Sequence, residues 1–336
     1  MVIRDWSSDV CSSDLLIEEV LKVQPNVVVV LHNGSPVELP WADRVSAILE
    51  MYLGGQGVGE ACDRLLYGEA NPSGRLAETF PYRLEDNPSY LHFPGNGKRV
   101  LYGEDIFVGY RYYDTKKVPV RYAFGHGLSY TEFTYGDLTL SSAQMTDEDI
   151  LTVSLKVKNS GKTEGKEVVQ LYVADLCGIS ERPVKELKGF AKVHLLPGEE
   201  KTVSMEISAR NLSYYEERLG DWYAPSGTYR ILIGHASDDI RLHADVVFET
   251  KKKLPLRVDF TTTFGELLDH TKTAPVITEL LAPLAAAAAS AEGMSDEYKK
   301  LGEQVIREMP LKFLLGQMPG EQVEQLIGQL NCLLAQ

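Results

Sequence analysis

A histidine between two glycines is the first side chain in this sequence that could do acid–base chemistry. His126 lies in the run FGHGLSYT at residues 124–131. The two glycines predict a tight turn that leads into a strand. The imidazole could serve as a catalytic base, but no serine or cysteine stands near it at a nucleophile elbow. We therefore expect His126 to be a structural histidine whose polar groups are satisfied within a loop.

A glycine-rich run, GGQGVGE at residues 54–60, is the second candidate site. A glycine-rich turn at the start of a helix can hold a phosphate group. This run lacks the Lys-Ser/Thr pair of a P-loop and the glycine spacing of a dinucleotide fingerprint. We therefore expect no nucleotide to bind here.

The composition restricts the classes of function. The chain has 336 residues, which suits two or three domains, and its 44% hydrophobic and 24% charged residues are those of a globular protein. A net charge of −14 argues against nucleic acid as a partner, and no apolar run is long enough to span a bilayer. The seven histidines and four cysteines are scattered, so we expect no metal site, no cofactor and no disulfide framework. The cysteine usage favours a reducing, cytoplasmic location. The cysteines are Cys11, Cys62, Cys177 and Cys332.

The first part of the chain alternates helical and strand patterns, which indicates an α/β layer. Residues 16–21 have helical spacing, and residues 27–31 form a β-branched run typical of a strand buried on both faces of a parallel sheet. A second apolar run at residues 47–53 precedes the glycine-rich turn, and residues 58–67 are predicted to be a helix.

Short alternating strands follow after Tyr135 and predict a β-sandwich. Turn signals recur at NSGKTEG, PGEE and PSG. Two strand faces are predicted to form the core. On one strand they are Leu151, Val153, Leu155 and Val157. On the next we expect Val169, Leu171 and Val173 to face inward, rather than Val168, Gln170 and Tyr172, because only the first set is uniformly apolar. We expect residues 135–249 to fold as an independent domain.

Beyond the linker-like Lys251-Lys252-Lys253, the chain becomes helical in character. Residues 284–291 are alanine-rich, and Pro319-Gly320-Glu321 opens a last helix. This helix carries an apolar stripe, which we expect to pack on its own chain; a partner subunit is the alternative. The stripe is formed by Val323, Leu326, Ile327, Leu330, Leu333 and Leu334.

Several runs in the right order resemble glycoside hydrolase family 3, the β-glucosidase and β-xylosidase family. They are VVVVLHNGSPVELPW, GGQGVGEACDRLLYGEANPSGRLAETFP, YGEDIFVGYRYYD and the FGHGLSYT run. The stretches GKEVVQLYV, RPVKELKGFAKV and SGTYRILIG resemble the fibronectin type III-like domain that follows in many family members. The resemblance implies a truncated α/β sandwich domain at 16–134, a fibronectin type III-like β-sandwich at 135–250, and a linker with a helical tail at 251–336.

Residues 1–15 do not fit this pattern. They nearly repeat Ser-Ser-Asp, show no helical or strand period, and resemble a translated adapter oligonucleotide. We interpret 1–15 as a non-native segment; a native polar terminus is the alternative. Asp5-Trp6 mimics part of the family's Ser-Asp-Trp nucleophile motif, but Arg4 replaces the serine, so we reject Asp5 as a nucleophile.

The resemblance implies a retaining β-glycosidase, which needs a nucleophilic carboxylate and a carboxylic acid/base. In the family the aspartate lies in the catalytic barrel and the glutamate lies shortly before the LIEEV helix, so neither role can be transferred to a residue here. Among the remaining acids, Glu104 is the best candidate to lie near substrate, together with Tyr102. The others are expected to be solvated or structural acids (Glu60, Glu69, Asp105) and packing tyrosines (Tyr110, Tyr112, Tyr113).

Two hypotheses follow. In the first, the chain is part of an enzyme that hydrolyses O-glycosidic bonds at the non-reducing ends of β-linked oligosaccharides or aryl and alkyl β-glycosides, and it is inactive without the barrel. In the second, it is a non-catalytic carbohydrate-binding or scaffold module. A homo-oligomer formed through the helical tail is compatible with either hypothesis.

Overall fold

A computed structural model describes residues 12–95, 97–178, 181–289 and 296–335. The chain divides into two compact units. The first contains residues 1–214 and 222–251, and the second contains residues 215–221 and 252–336. The first unit combines an α/β layer with a β-sandwich, and the second is helical, in agreement with the predicted fold class.

The α/β layer is built on a short parallel pair. Helix α1 (Ser12–Leu21) leads to strand β1 (Val28–Leu31), which pairs in parallel with β2 (Ala47–Glu50), and helix α2 (Val58–Leu66) follows. The remaining elements of the layer are a 3₁₀ turn (Ala42–Arg44), β3 (Phe80–Pro81), a 3₁₀ turn (Leu84–Asp86), α3 (Tyr110–Lys116) and β4 (Val120–Tyr122). Its core is small: Leu39, Trp41 and Phe80 are buried, with partly buried side chains from α1, β1 and β2 around them.

The composition of the β-branched strand is typical of burial on both faces, but Val28 leaves 49% of its surface exposed. Within the described residues the parallel sheet has two strands, so each lacks a neighbour on one side. The prediction that residues 1–15 contain no helix is wrong, because α1 begins at Ser12. Asp14 ties that helix to the layer, because its Oδ1 accepts a hydrogen bond from Trp41 Nε1 at 2.6 Å.

The β-sandwich packs a three-stranded sheet of order β10-β7-β5 against a five-stranded sheet of order β6-β14-β13-β8-β9. Its strands are β5 (Phe133–Leu140), β6 (Gln144–Thr146), β7 (Ile150–Asn159), β8 (Gly165–Asp175), β9 (Glu186–Leu195), β10 (Glu200–Ser208), β13 (Gly227–Gly234) and β14 (Ile240–Glu249). The short helix α4 (Ala209–Leu212) and strands β11 (Tyr214–Glu216) and β12 (Asp221–Tyr223) lie between β10 and β13 in the chain.

The predicted core faces of the sandwich are confirmed. All four predicted β7 residues and all three predicted β8 residues are buried in one cluster. Strand β8 is buried on its other face as well, where Gln170 and Tyr172 are 3% and 0% exposed. Those two side chains face the α/β layer, so β8 serves both the sandwich core and the junction between the two parts. The sandwich begins earlier than predicted, because Phe133 on β5 belongs to its core.

The second unit is a cluster of helices. They are α5 (Phe264–Asp269), α6 (Ala274–Ala289), α7 (Asp296–Glu308), a 3₁₀ segment (Leu311–Gly316) and α8 (Gly320–Ala335). Helix α5 begins with a capping box in which Thr263 and Glu266 exchange hydrogen bonds. The stripe on α8 packs on its own chain: Val323 and Leu330 are fully buried with side chains of α5 and α6. No helix in the described parts of the chain combines the length and the apolar character that a membrane span requires.

Candidate functional site

The segment from residue 91 to 108, which we call the 91–108 segment, carries the sequence-predicted site residues. It joins the 3₁₀ turn at Leu84–Asp86 to α3, and its described residues form turns and irregular loops. It exposes an unusual amount of apolar surface. Its exposed hydrophobic side chains are Leu91, Phe93, Val100, Leu101, Tyr102, Ile106 and Val108. A patch of this kind on a soluble protein typically marks a site of contact.

Glu104 differs from Asp105, the other acid of this segment, in its burial. Its residue is partly buried, and its Oε2 is buried without a hydrogen-bond partner among the described residues. The backbone around it is fixed, because Phe107 N donates to the Glu104 carbonyl at 2.9 Å. A buried carboxylate oxygen is costly unless a donor satisfies it. Glu104 is therefore a candidate to receive a donor group from a ligand or a further part of the protein.

Tyr102 and Asp105 flank Glu104 but are arranged differently. Tyr102 is 80% exposed, so its ring is free to stack on a ligand. Asp105 adopts a left-handed backbone with φ 49° and is exposed, which fits a turn residue rather than a preorganised catalytic acid. The structure places Tyr102 and Glu104 on one turn of the 91–108 segment, and their contact with substrate stays a prediction.

Two tyrosines of α3 pack in the interior instead of forming a sugar platform. Tyr110 stacks on Phe124 with ring centroids 4.8 Å apart, and its hydroxyl accepts a hydrogen bond from Leu187 N at 2.7 Å. Tyr113 is 4% exposed, and burial raises its pKa to about 12. Tyr112 packs edge-on against Tyr113. These contacts support the packing interpretation of the three residues.

The other acids considered from sequence lie away from any cluster. Glu60 is exposed on α2. Glu69 forms an exposed ion pair with Arg64 at 3.9 Å. The glycine-rich turn before α2 is exposed throughout residues 53–57. Across the described ranges, no group of three or more His, Cys, Asp and Glu side chains is arranged to hold a metal ion.

The FGHGLSYT run forms a structural loop between the α/β layer and the sandwich. His126 stacks on Tyr122 with ring centroids 5.1 Å apart, and burial lowers its pKa. Backbone hydrogen bonds link the loop to Leu76, since Gly125 N donates to the Leu76 carbonyl and Leu76 N donates to the His126 carbonyl. Gly125 has φ 82°, and a Cβ there would clash with the Gln170 amide. The loop geometry therefore supports a structural role for His126.

A buried ionic network, which sequence reasoning missed, fixes this loop to the sandwich. Glu167 on β8 has a side chain with 0% exposure. Its Oε2 accepts a hydrogen bond from Arg75 Nη2 at 2.8 Å, and its Oε1 lies 2.7 Å from both Tyr135 Oη and His235 Nδ1. His235 Nε2 in turn lies 2.8 Å from the Gly127 carbonyl. One carboxylate thus connects both parts of the unit.

A second set of contacts supports the same junction. Asn71 Nδ2 donates to the Glu164 carbonyl at 2.9 Å. Asn71 Oδ1 accepts from Ser129 Oγ and from Tyr130 N, each at 2.9 Å. A single amide therefore holds the end of the loop against the turn before β8. The sequence offered one signal for these junction contacts: Glu167 shares the inward face of β8 with Val169, where a charged residue must find a partner.

Comparison with protein families agrees with this architecture. A family model described as the glycosyl hydrolase family 3 C-terminal domain matches residues 7–130. A second, described as a fibronectin type III-like domain, matches residues 167–237. The first match begins inside residues 1–15, and the interpretation of that segment as non-native stays a prediction.

Curated relatives are β-glucosidases. The thermostable β-glucosidase B of Acetivibrio thermocellus is 46% identical over 320 residues, covering 94% of this chain and 42% of the relative. A β-glucosidase of Kluyveromyces marxianus is 47% identical over 227 residues, covering 67% of this chain and 26% of the relative. The chain thus spans less than half the length of either.

Solved structures show the same fold. The crystal structure of the Kluyveromyces marxianus β-glucosidase in complex with glucose aligns with a TM-score of 0.67 and 43% identity, covering 71% of this chain and 29% of that one. The family 3 β-glucosidase of Bifidobacterium adolescentis aligns with a TM-score of 0.71 and 38% identity, covering 78% of this chain and 39% of that one.

Proposed function

We propose that this chain, which belongs to glycosyl hydrolase family 3 through its C-terminal domain, works as the part of a retaining β-glycosidase that lies beside the catalytic barrel. The substrates would be β-linked oligosaccharides or aryl and alkyl β-glycosides, cleaved at the non-reducing end. The observation that carries the proposal is the 46% identity to a thermostable β-glucosidase across 94% of this chain.

Retaining hydrolysis requires two carboxylates roughly 5–5.5 Å apart, one of which attacks the sugar while the other protonates the leaving oxygen. Neither role is assigned to a residue of this sequence. The chain by itself would therefore be inactive, because general acid–base help alone is typically worth about 10²–10⁴-fold. Its own contribution would be to complete the substrate cleft and to support the barrel.

The uncovered apolar surface of the α/β layer supports this role. The 91–108 segment exposes Leu91 and Tyr102 by 86% and 80%. On the α1 and β1 side, Leu16 and Val28 are 64% and 49% exposed. We propose that the barrel covers part of this surface. A donor from the barrel or from the sugar would then satisfy Glu104 Oε2, with Tyr102 stacking on the substrate.

A chimera tests the proposal. This chain would replace the matching C-terminal part of the Acetivibrio thermocellus enzyme, and release of nitrophenol from aryl β-glucoside and β-xyloside would be measured. We expect the chimera to turn over at about 1 s⁻¹ or more, and the isolated chain to show no turnover. A folded but inactive chimera, or an isolated chain that turns over near 1 s⁻¹, would contradict the proposal.

Within the chimera, Glu104→Gln tests the role of the segment. Loss of a hydrogen bond to a charged group is worth about 1.5–3 kcal/mol, so kcat/KM should fall roughly 10- to 100-fold. Glu60→Gln on exposed α2 is the matched control and should leave kcat/KM unchanged. Equal values for both variants would remove Glu104 from the site and favour the carbohydrate-binding or scaffold hypothesis for this surface.

Two further properties remain proposals. A cytoplasmic location rests on the cysteine usage, with Cys62, Cys177 and Cys332 all present as free thiols. A homo-oligomer through α8 rests on that helix alone. Since the most buried part of its stripe packs on its own chain, such a contact would have to use the face around Gln329 and Cys332.

A further inference from the structure

His235 lies between two hydrogen-bond acceptors at the junction of the loop and the sandwich. Its Nδ1 is 2.7 Å from Glu167 Oε1, and its Nε2 is 2.8 Å from the Gly127 carbonyl oxygen. Its side chain is 16% exposed and that of Glu167 is 0% exposed. Both distances are those of real hydrogen bonds, so each needs a proton on one of its two atoms.

A neutral imidazole has one N–H and one lone pair, and so cannot donate to both partners. If Nδ1 carried the proton, the lone pair of Nε2 would face the Gly127 carbonyl oxygen. If Nε2 carried it, the lone pair of Nδ1 would face the Glu167 carboxylate. Either arrangement leaves two acceptors in contact without a proton, which is costly at a buried position.

A neutral Glu167 could supply the missing proton, but its surroundings favour the carboxylate. Burial alone would raise the Glu167 pKa, yet the hydrogen bond from His235 and the charge of Arg75 bring that pKa below its ordinary value. Arg75 Nη2 donates to Oε2 at 2.8 Å, and the Tyr135 hydroxyl donates to Oε1 at 2.7 Å. With two other donors already on the carboxylate, the proton is better placed on His235.

We propose that His235 is a doubly protonated imidazolium at neutral pH and acts as a charge-assisted latch between the fibronectin type III-like sandwich and the FGHGLSYT loop. The latch binds the Glu167 carboxylate with one N–H and the Gly127 carbonyl with the other. Release of one of these protons to solvent breaks one of the two hydrogen bonds. The docking of the loop is therefore coupled to a single proton.

Other charges that face the latch come from several elements. The groups are Arg75 from the α/β layer, His126 from the loop, Tyr135 from β5, Glu167 from β8, Asp238 and Asp239 from the turn before β14, and Arg241 from β14. Arg241 is paired with Asp239 at 2.9 Å. The charge of Asp239 also acts on His235 and favours its protonated form.

The protonation state can be read directly from the full-length chain. Long-range ¹H–¹⁵N spectra of the histidine rings distinguish imidazolium, in which both nitrogens have similar shifts, from a neutral tautomer. The His235 signals are assigned as those missing from the His235→Gln variant. We expect the imidazolium pattern at pH 7. A single neutral tautomer with widely separated nitrogen shifts at pH 7 would overturn the proposal.

Backbone hydrogen exchange tests the latch itself. The amides of Gly125 and His126 donate hydrogen bonds to the carbonyls of Leu76 and Ala123. In His235→Gln, which retains one donor but no charge, we expect both amides to exchange at least tenfold faster. His194→Gln is the matched control, because His194 pairs with Glu164 at 3.5 Å on the surface, and it should change these rates less than twofold.

Unchanged exchange at Gly125 and His126 in His235→Gln would overturn the latch, as would equal acceleration in His194→Gln. If His235→Gln does not fold, the wild-type chain still decides the question. Its loop amides should then lose protection, after correction for the intrinsic exchange rate, in the same pH range in which the His235 ring loses its imidazolium pattern. Loss of protection in a different range, or no loss, would contradict the coupling.

Discussion

The apolar strands of the sandwich and of the α/β layer look alike in sequence but differ in burial. Val153 on β7 is fully buried, whereas Val28 on β1 is 49% exposed. Among the described residues, nineteen buried side chains form the sandwich core, against three in the core of the α/β layer. The difference lies in the neighbouring strands: β7 is paired on both sides and covered by a second sheet, whereas β1, within the part of the chain that the structure describes, is paired only with β2.

An apolar composition therefore indicates that a strand is suited to burial. It does not show that the strand is buried in this chain. The sandwich contains both of the sheets that its strands require. The parallel pair has the composition of an interior sheet but presents an open edge, which is a known aggregation liability. The junction between the two parts is as well satisfied as the sandwich core, since the Glu167 carboxylate has three hydrogen-bonding partners there.

Separating the two parts should give the largest effect. We expect residues 131–250 expressed alone to melt in one cooperative transition, because every described side chain of their core lies within this range. Residues 12–130 alone should show no cooperative transition, since their core is too small to offset the chain entropy. Differential scanning calorimetry would check both. A molten profile for 131–250 would mean that the sandwich depends on the α/β layer.

Removing the junction carboxylate should give the next largest effect. Glu167→Ala leaves Arg75 and His235 buried without their shared partner, and loss of one member of a buried pair costs about 3–5 kcal/mol. Glu164→Ala is the matched control, because the exposed pair of Glu164 with His194 should contribute about 0–1 kcal/mol. Urea unfolding measures both. Similar losses for the two variants would show that the network is not a stabilising junction.

Matched leucine truncations compare the two cores directly. Leu171→Ala on β8 should lower the free energy of unfolding by about 2–5 kcal/mol, since Leu171 is fully buried. Leu53→Ala, after β2, should change it by less than about 0.5 kcal/mol, because Leu53 is 79% exposed. If the chimera buries this surface, the cost of Leu53→Ala should rise there. An equal cost in the isolated chain would mean that the α/β layer is better packed than its exposure indicates.

The smallest expected effect is on the free energy of unfolding at low pH. Burial acts to raise the pKa of Glu167, but its hydrogen bonds and the nearby cations leave that pKa below its ordinary value. A carboxyl group with a lowered pKa stabilises the fold above the unfolded pKa of about 4.3, and this stability is lost as pH falls through the folded pKa. Glu167→Gln should therefore flatten the decline in unfolding free energy between pH 5 and acid, relative to wild type. An identical acid limb in both proteins would contradict this contribution.

Local sequence patterns predicted much of the fold of this protein. The alternation on β7 and the uniformly apolar set on β8 identified the sandwich core, and Gly320 was correctly placed at the start of the last helix. The two glycines around His126 correctly indicated a tight loop, and Gly125 has the positive φ that such a turn requires. The absence of a helix before Leu16 was wrong. This error concerns a contact with a distant residue, that of Asp14 with Trp41.

The sequence by itself determined the strand periods, the turns and the family resemblance, because each depends on residues close together in the chain. Only the tertiary structure decided that Arg75, Tyr135 and His235 meet at the Glu167 carboxylate, and that His235 also reaches the Gly127 carbonyl, since the pairs span separations of up to 108 residues. Their residue types are ordinary and their spacing carries no motif. Burial and hydrogen-bond geometry turn them into a single ionic junction, and both properties exist only after the chain has folded.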